Sequence, residues 1–201
     1  MGRIFYIMGK SATGKDTVYK EILKRFPELK TIVMYTTRPI RENETDGVEY
    51  HFRTISEMEQ LKDSGKMIEL RVYQTIAGPW YYFTMDDGQF DLFGDANCVM
   101  IGTLESYEKM IQYFGKQFLV PIYIEIPDGI RLKRATEREA MQKKPNFREV
   151  CRRYLADEDD FTEDRLKNLG IEKRFENLDL EKCLDQIANE IQVTCKYRQE
   201  G

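Results

Sequence analysis

Histidine is nearly missing from this chain: His51 is the one imidazole in 201 residues, which excludes any mechanism that needs two. Cysteine is sparse and scattered. Cys98, Cys151, Cys183 and Cys195 form no CxxC pair and no Cys/His ligand set, so neither a zinc site nor a disulfide framework is indicated, and they read as reduced thiols. No apolar run approaches the ~20 residues that cross a bilayer. The opening Met1-Gly2-Arg3-Ile4-Phe5 lacks a signal-peptide apolar region and cleavage site, so a cytoplasmic protein without a membrane partner is expected. Positive charge is not in excess either. Lys and Arg number 31 against 35 Asp and Glu, a net charge of −4, which argues against a broad nucleic-acid surface.

What is present suits one globular domain with a small insert. Hydrophobic residues make up 41% and charged residues 33%, enough for a core and too apolar for a disordered acidic chain. Arg3 to Met8 is an almost continuous apolar run, as in a strand buried on both faces of a parallel sheet. Val18, Ile22, Leu23 and Phe26 then recur at helical spacing over residues 16–26, and Pro27 stops the helix. A second strand is expected over 31–34. Residues 35–92 have a different texture, rich in tyrosine and in Gly/Pro breakers, with one helical run at 56–66, and read as an inserted subdomain. Strands return at 98–101 and 118–126, with a helix over 103–114 between them. Helices are expected over 129–142, 147–169 and 180–193, and a frayed tail over 194–201.

The strongest motif is Gly9-Lys10-Ser11-Ala12-Thr13-Gly14-Lys15-Asp16-Thr17, set between a strand and a helix, the context a phosphate-binding loop requires. Two glycines let the backbone amides converge on phosphate oxygens, the helix N-terminus adds partial positive charge, and Lys15 reaches the outer phosphates. The strict pattern places Ser or Thr after the lysine. Here Asp16 stands there and Thr17 follows, leaving Thr17 as the hydroxyl on the magnesium side. Downstream, Thr36-Thr37-Arg38-Pro39-Ile40-Arg41 with Glu44, then Asp46-Gly47-Val48-Glu49-Tyr50-His51-Phe52, puts two arginines three apart near a tyrosine. Guanidinium groups pair bidentately with phosphate oxygens, so this set makes sense as a monophosphate clamp.

Together these motifs resemble the guanylate kinase family, and the similarity runs from residue 3 to about 191. The resemblance implies a P-loop α/β fold: a parallel sheet with helices on both faces (core 1–34, 93–128 and 167–193), an acceptor-binding insert (35–92) and a helical lid (129–166). It implies ATP bound by residues 9–17 (Gly9, Lys10, Ser11, Ala12, Thr13, Gly14, Lys15, Asp16, Thr17), with Mg²⁺ at Thr17. Asn177, in Asn177-Leu178-Asp179-Leu180, would lie near the adenine. Arg38, Arg41, Glu44 and Tyr50 would serve the acceptor, with Glu69 facing the base and Tyr81 on its phosphate; His51 is read as a structural partner. Lys15 and the lid arginines Arg134, Arg138 and Arg153 would act on the transferring phosphoryl group, whereas Arg131 falls outside the pattern.

The chain also departs from the family. Tyr82 and Phe83 stand where the family has Gly and then Ser or Thr, which leaves Thr84 as a replacement hydroxyl. Met100-Ile101-Gly102-Thr103 stands where the family has Leu-Asp-Ile-Asp, so two carboxylates are gone. Transfer of phosphate from ATP to GMP is the leading expectation. Another nucleoside monophosphate as acceptor, or a peptide-binding module that has lost catalysis, are its rivals; the intact Lys15 favours an enzyme.

Overall fold

The computed structural model describes residues 1–42, 44–75, 78–90, 92–94 and 96–196. From the N-terminus the chain runs through β1 (Ile4–Met8), α1 (Lys15–Arg25), β2 (Lys30–Thr31), β3 (Tyr35–Thr36), β4 (His51–Phe52), α2 (Ile55–Asp63), β5 (Met67–Thr75) and β6 (Gly78–Met85). It continues through β7 (Cys98–Ile101), α3 (Leu104–Phe114), β8 (Leu119–Glu125), α4 (Asp128–Ala140), α5 (Phe147–Asp160), α6 (Glu163–Asn168), β9 (Arg174–Glu176) and α7 (Leu180–Lys196).

Every residue of β1 is buried because its two faces meet two different cores. Ile4, Tyr6 and Met8 pack with Leu104, Tyr107 and Met110, while Phe5 and Ile7 pack with Val18, Ile22, Leu184 and Ile187. A strand so placed has no polar face to show, hence its unbroken apolar sequence. β1 lies at the centre of a parallel sheet of order β2-β7-β1-β8-β9, with α3 on one face and α1 and α7 on the other. A second sheet, β4-β3-β6-β5, is built almost wholly from the long antiparallel hairpin β5–β6. Its inner face packs Tyr35, Phe83 and Met85 against Met58 of α2.

Three elements differ from expectation for identifiable reasons. The strand expected over 31–34 keeps only Lys30 and Thr31 in the ladder, because the Gln89 side-chain amide takes over the Val33 backbone, accepting from its N–H at 2.8 Å and donating to its carbonyl at 3.2 Å. The helix expected over 147–169 is two helices. Phe161 turns inward to stack on Tyr123, and the Thr162 hydroxyl caps α6 by accepting from the Arg165 N–H. α7 runs on to Lys196, three residues into the stretch expected to fray, and residues 197–201 lie outside the described residues. Among the described residues, no helix is long and apolar enough to cross a membrane.

Candidate active site

The loop from Gly9 to Gly14 joins the C-terminal end of β1 to the first turn of α1. Both glycines are required by geometry: a Cβ on Gly9 would collide with the Ile124 carbonyl, and one on Gly14, which sits at φ 88°, with the Asn177 amide. Ala12 also adopts a positive φ of 65°, a conformation costing an L-residue about 1–2 kcal/mol, so the backbone is curled under strain. Thr13 ties the curl by donating its hydroxyl to the Lys10 carbonyl at 2.9 Å. From outside, Asn177 donates its amide to the Thr13 carbonyl at 2.8 Å, and Arg134 donates to the Asn177 carbonyl. The amide of Asn177, expected near an adenine, is therefore engaged in bracing the loop. Lys15 opens α1, where the first amides of the helix have no intrahelical partner. It is half-buried, and its side chain has no hydrogen bond or ion pair among the described residues. Asp16 and Thr17 beside it are exposed.

A buried arginine locks α4 and α5 onto this loop. Arg131, only 1% exposed, donates to Asp128 (3.1 Å), Asp157 (2.9 Å) and Glu158 (2.6 Å), with the Tyr154 ring 4.2 Å from its guanidinium. The same carboxylates reach the loop: Asp157 accepts from the Ser11 N–H at 2.8 Å and Glu158 from Lys10 Nζ at 2.8 Å. Lys10 is thereby turned toward α5, and Arg131, the arginine outside the sequence pattern, is the one that joins these helices to the loop. Arg138 is exposed, and Arg153 is exposed and bonded to Glu149 at 2.8 Å. With Arg152 on the same carboxylate, Glu149 is held down to about 2 by those guanidinium bonds.

The second sheet carries the other half. Arg38, 4% exposed, is gripped bidentately by Glu44, donates to the Pro39 carbonyl, and lies 5.1 Å from the Tyr50 ring centre and 5.3 Å from that of Phe52. Glu44 also accepts from the Arg41 N–H at 2.9 Å, so it orients the arginine pair. The Arg41 side chain projects into solvent. Hydrogen bonds from Arg38 hold the Glu44 carboxyl at about 2 against an ordinary 4.5, with burial opposing and the Arg41 amide assisting. A depressed folded value means that the pair's stabilisation is present above about pH 4.5 and lost as pH falls through about 2. An acid titration followed through Trp80, the single tryptophan, should therefore lose a component in that window, and Glu44→Gln should lack it. A titration identical in the two proteins would remove the pair from the stability of this sheet.

Strand parity decides which tyrosine joins this set. In the β5–β6 ladder Glu69 faces Thr84 and Arg71 faces Tyr82 on one side, while Leu70 faces Phe83 and Val72 faces Tyr81 on the other. Tyr81 thus packs with the α2 core and does not reach the Arg38 side. Tyr82 does, with its ring edge-on to Tyr50 at 5.7 Å and to Tyr73 at 5.4 Å. Glu69, 5% exposed, accepts from Arg71 at 2.8 and 3.2 Å and from the Thr84 hydroxyl at 2.7 Å; Arg71 also donates to the Thr103 hydroxyl at 3.0 Å. The two halves of the site meet where Arg71 of β5 bonds Thr103, just past the end of β7, and where Tyr50 and Ile68 pack against the core cluster that holds Met8 and Met34.

A family model for guanylate kinase matches residues 1–79. The guanylate kinase of Thermotoga maritima is 33% identical over 143 residues, covering 69% of this chain and 67% of that one. Those of Chlorobium luteolum and Mycobacterium tuberculosis are each 42% identical over 69 residues, 34% of this chain. The matched stretch spans only about a third of these last two relatives, 35% and 33%. The crystal structure of guanylate kinase from Anaplasma phagocytophilum superposes with a TM-score of 0.66 at 18% identity, over 96% of this chain and 86% of that one, which establishes the shared fold. On the Thermotoga similarity, with the family model and the fold in agreement, this chain belongs to the guanylate kinase family.

Proposed function

We propose that the protein transfers the γ-phosphoryl group of ATP to a nucleoside monophosphate, with GMP as acceptor, giving ADP and GDP. One combination of features carries the reading: a phosphate-type loop with an uncommitted Lys15 at the N-terminus of α1, and a second sheet that bears Arg38, Arg41 and Tyr50. Such transfer needs positioning and charge neutralisation, with no covalent protein intermediate. Loop amides and Lys15 hold the β- and γ-phosphates of the donor. Arg41 and the remaining donors of Arg38 hold the acceptor phosphate, oriented by Glu44 and flanked by the Tyr50 hydroxyl, so that its oxygen is in line for attack. Arg138, exposed on α4, and Arg153, released from Glu149, supply positive charge at the transferring phosphoryl group from helices that Arg131 clasps to the loop.

Mg²⁺ fits the donor set, because this cation takes one or two protein oxygens together with phosphate oxygens and waters, and Thr17 with Asp16 offers those beside the loop. When bound it supplies charge neutralisation at the phosphates. The test is ADP release with ATP and GMP, scored against ATP alone. Release that depends on GMP supports the reading, and none at millimolar GMP rejects it. A peptide-binding module would show no dependence on monophosphate at all.

A further inference from the structure

The wall beside the phosphate clamp is unusual in charge. From Arg38 it runs through the rings of Tyr50 and Tyr82 to the Arg71–Glu69 pair, all on one face of the second sheet. A base attached to a phosphate at Arg38 and Arg41 would meet that pair. Guanine presents two donors there, N1–H and the 2-amino group, and one acceptor, O6. Two adjacent lone-pair sites on a free carboxylate would serve the two donors.

Glu69 is not free. Its Oε1 accepts from Arg71 and Thr84, filling both lone pairs, and its Oε2 accepts from Arg71 Nε, leaving one. The Thr103 hydroxyl oxygen accepts from Arg71 and from the Ser106 N–H, so it too is filled as an acceptor. Ile101 offers no polar atom. Arg71 is nearly filled as well: its Nε–H and one Nη2 hydrogen go to Glu69, the other Nη2 hydrogen to the Met34 sulfur and one Nη1 hydrogen to Thr103, so what remains is a single acceptor beside two donors, the last Nη1–H of Arg71 and the Thr103 hydroxyl hydrogen. Displacing Arg71 to free Glu69 would leave a cation 7% exposed without its partner.

Resting on the nucleoside monophosphate reading above, we propose that Arg71 selects the acceptor base by its carbonyl oxygens, with no gain from an exocyclic amine. The pocket then takes 6-oxopurine monophosphates as a class, whether C2 carries an amine (GMP), hydrogen (IMP) or oxygen (XMP). Xanthine, the most acidic of the three bases, suits a guanidinium well. Adenine is disfavoured because its 6-amino group sets a donor against the donors of Arg71.

Calorimetry on the full chain with a non-hydrolysable ATP analogue and GMP, IMP, XMP and AMP tests this. The expected result is that the first three bind within about threefold of one another and AMP about tenfold or more weaker, the range one hydrogen bond spans. In Arg71→Met, Glu69 is released to accept from guanine, and GMP should overtake IMP and XMP by about tenfold. A wild-type preference for GMP over IMP and XMP of tenfold or more overturns the proposal, as does equal binding of all four. If Arg71→Met fails to fold by circular dichroism, the wild-type ranking decides alone. Binding of none of the four rejects the monophosphate reading itself, a result distinct from a wrong ranking.

Discussion

Lys15→Met is expected to lower the rate of phosphoryl transfer by about 10²–10³-fold, the loss typical of removing one preorganised charge from a developing anionic transition state. The melting temperature should hardly move. Lys15 begins α1, is half-buried and has no side-chain hydrogen bond or ion pair among the described residues, so methionine takes nothing from the fold. Substitutions of that kind fall within about 0.5 kcal/mol in stability. Lys10 makes a useful contrast, because it is salt-bridged to Glu158 at 2.8 Å and to Asp128 at 3.6 Å. Charge alone therefore does not mark a catalytic lysine in this loop; freedom from internal partners does. A variant rate within twofold of the parent would assign the phosphate charge to the backbone amides and take Lys15 out of the mechanism.

The loop was legible because its determinants are contiguous: two glycines, a lysine and the strand and helix that flank them all fall within residues 4–25. Arg38, Arg41 and Tyr50 are also close in sequence, and the structure gathers Arg38 against Tyr50 and ties the Arg41 N–H to the same Glu44. Tyr82 was missed through register. The alternation Glu69-Leu70-Arg71-Val72 has the period of a strand, but its buried positions include the charged pair Glu69 and Arg71, so the segment reads as irregular. Once Leu70 is placed against the α2 core, Phe83 must join it across the ladder with Tyr81 on the same face, and Tyr82 and Thr84 take the other. The Arg131 clasp showed only its i,i+3 pairing with Asp128 locally; its reach to Asp157, and through Asp157 to the Ser11 N–H 146 positions away, has no local signal. β9, three residues long, exists by pairing with β8 and not by its own propensity.

The clamp arginines should fail in two different ways. Arg41→Met removes an exposed side chain with no hydrogen bond of its own among the described residues, so stability should be unchanged while a charge-assisted contact to the acceptor phosphate disappears. Such a contact is worth about 1.5–3 kcal/mol, or roughly ten- to a hundredfold in monophosphate affinity. ATP affinity should stay put, because the phosphate loop lies on the other sheet. Arg38→Met is another matter. It leaves the Glu44 carboxylate, 14% exposed, without the fork that neutralises it, and takes the cation from beside the Tyr50 and Phe52 rings. Breaking a buried pair by removing one partner costs about 3–5 kcal/mol, so Arg38→Met should melt well below the parent and lose acceptor binding through the sheet as well as through the contact. Arg38→Met with Glu44→Gln should recover much of that stability and none of the acceptor affinity, since the unpaired charge is gone and the phosphate ligand is still missing. Thermal melts and calorimetry on these three variants separate the roles. Recovery of monophosphate binding in the double variant would mean that Arg38 serves the fold alone, leaving the acceptor phosphate to Arg41 and the tyrosines.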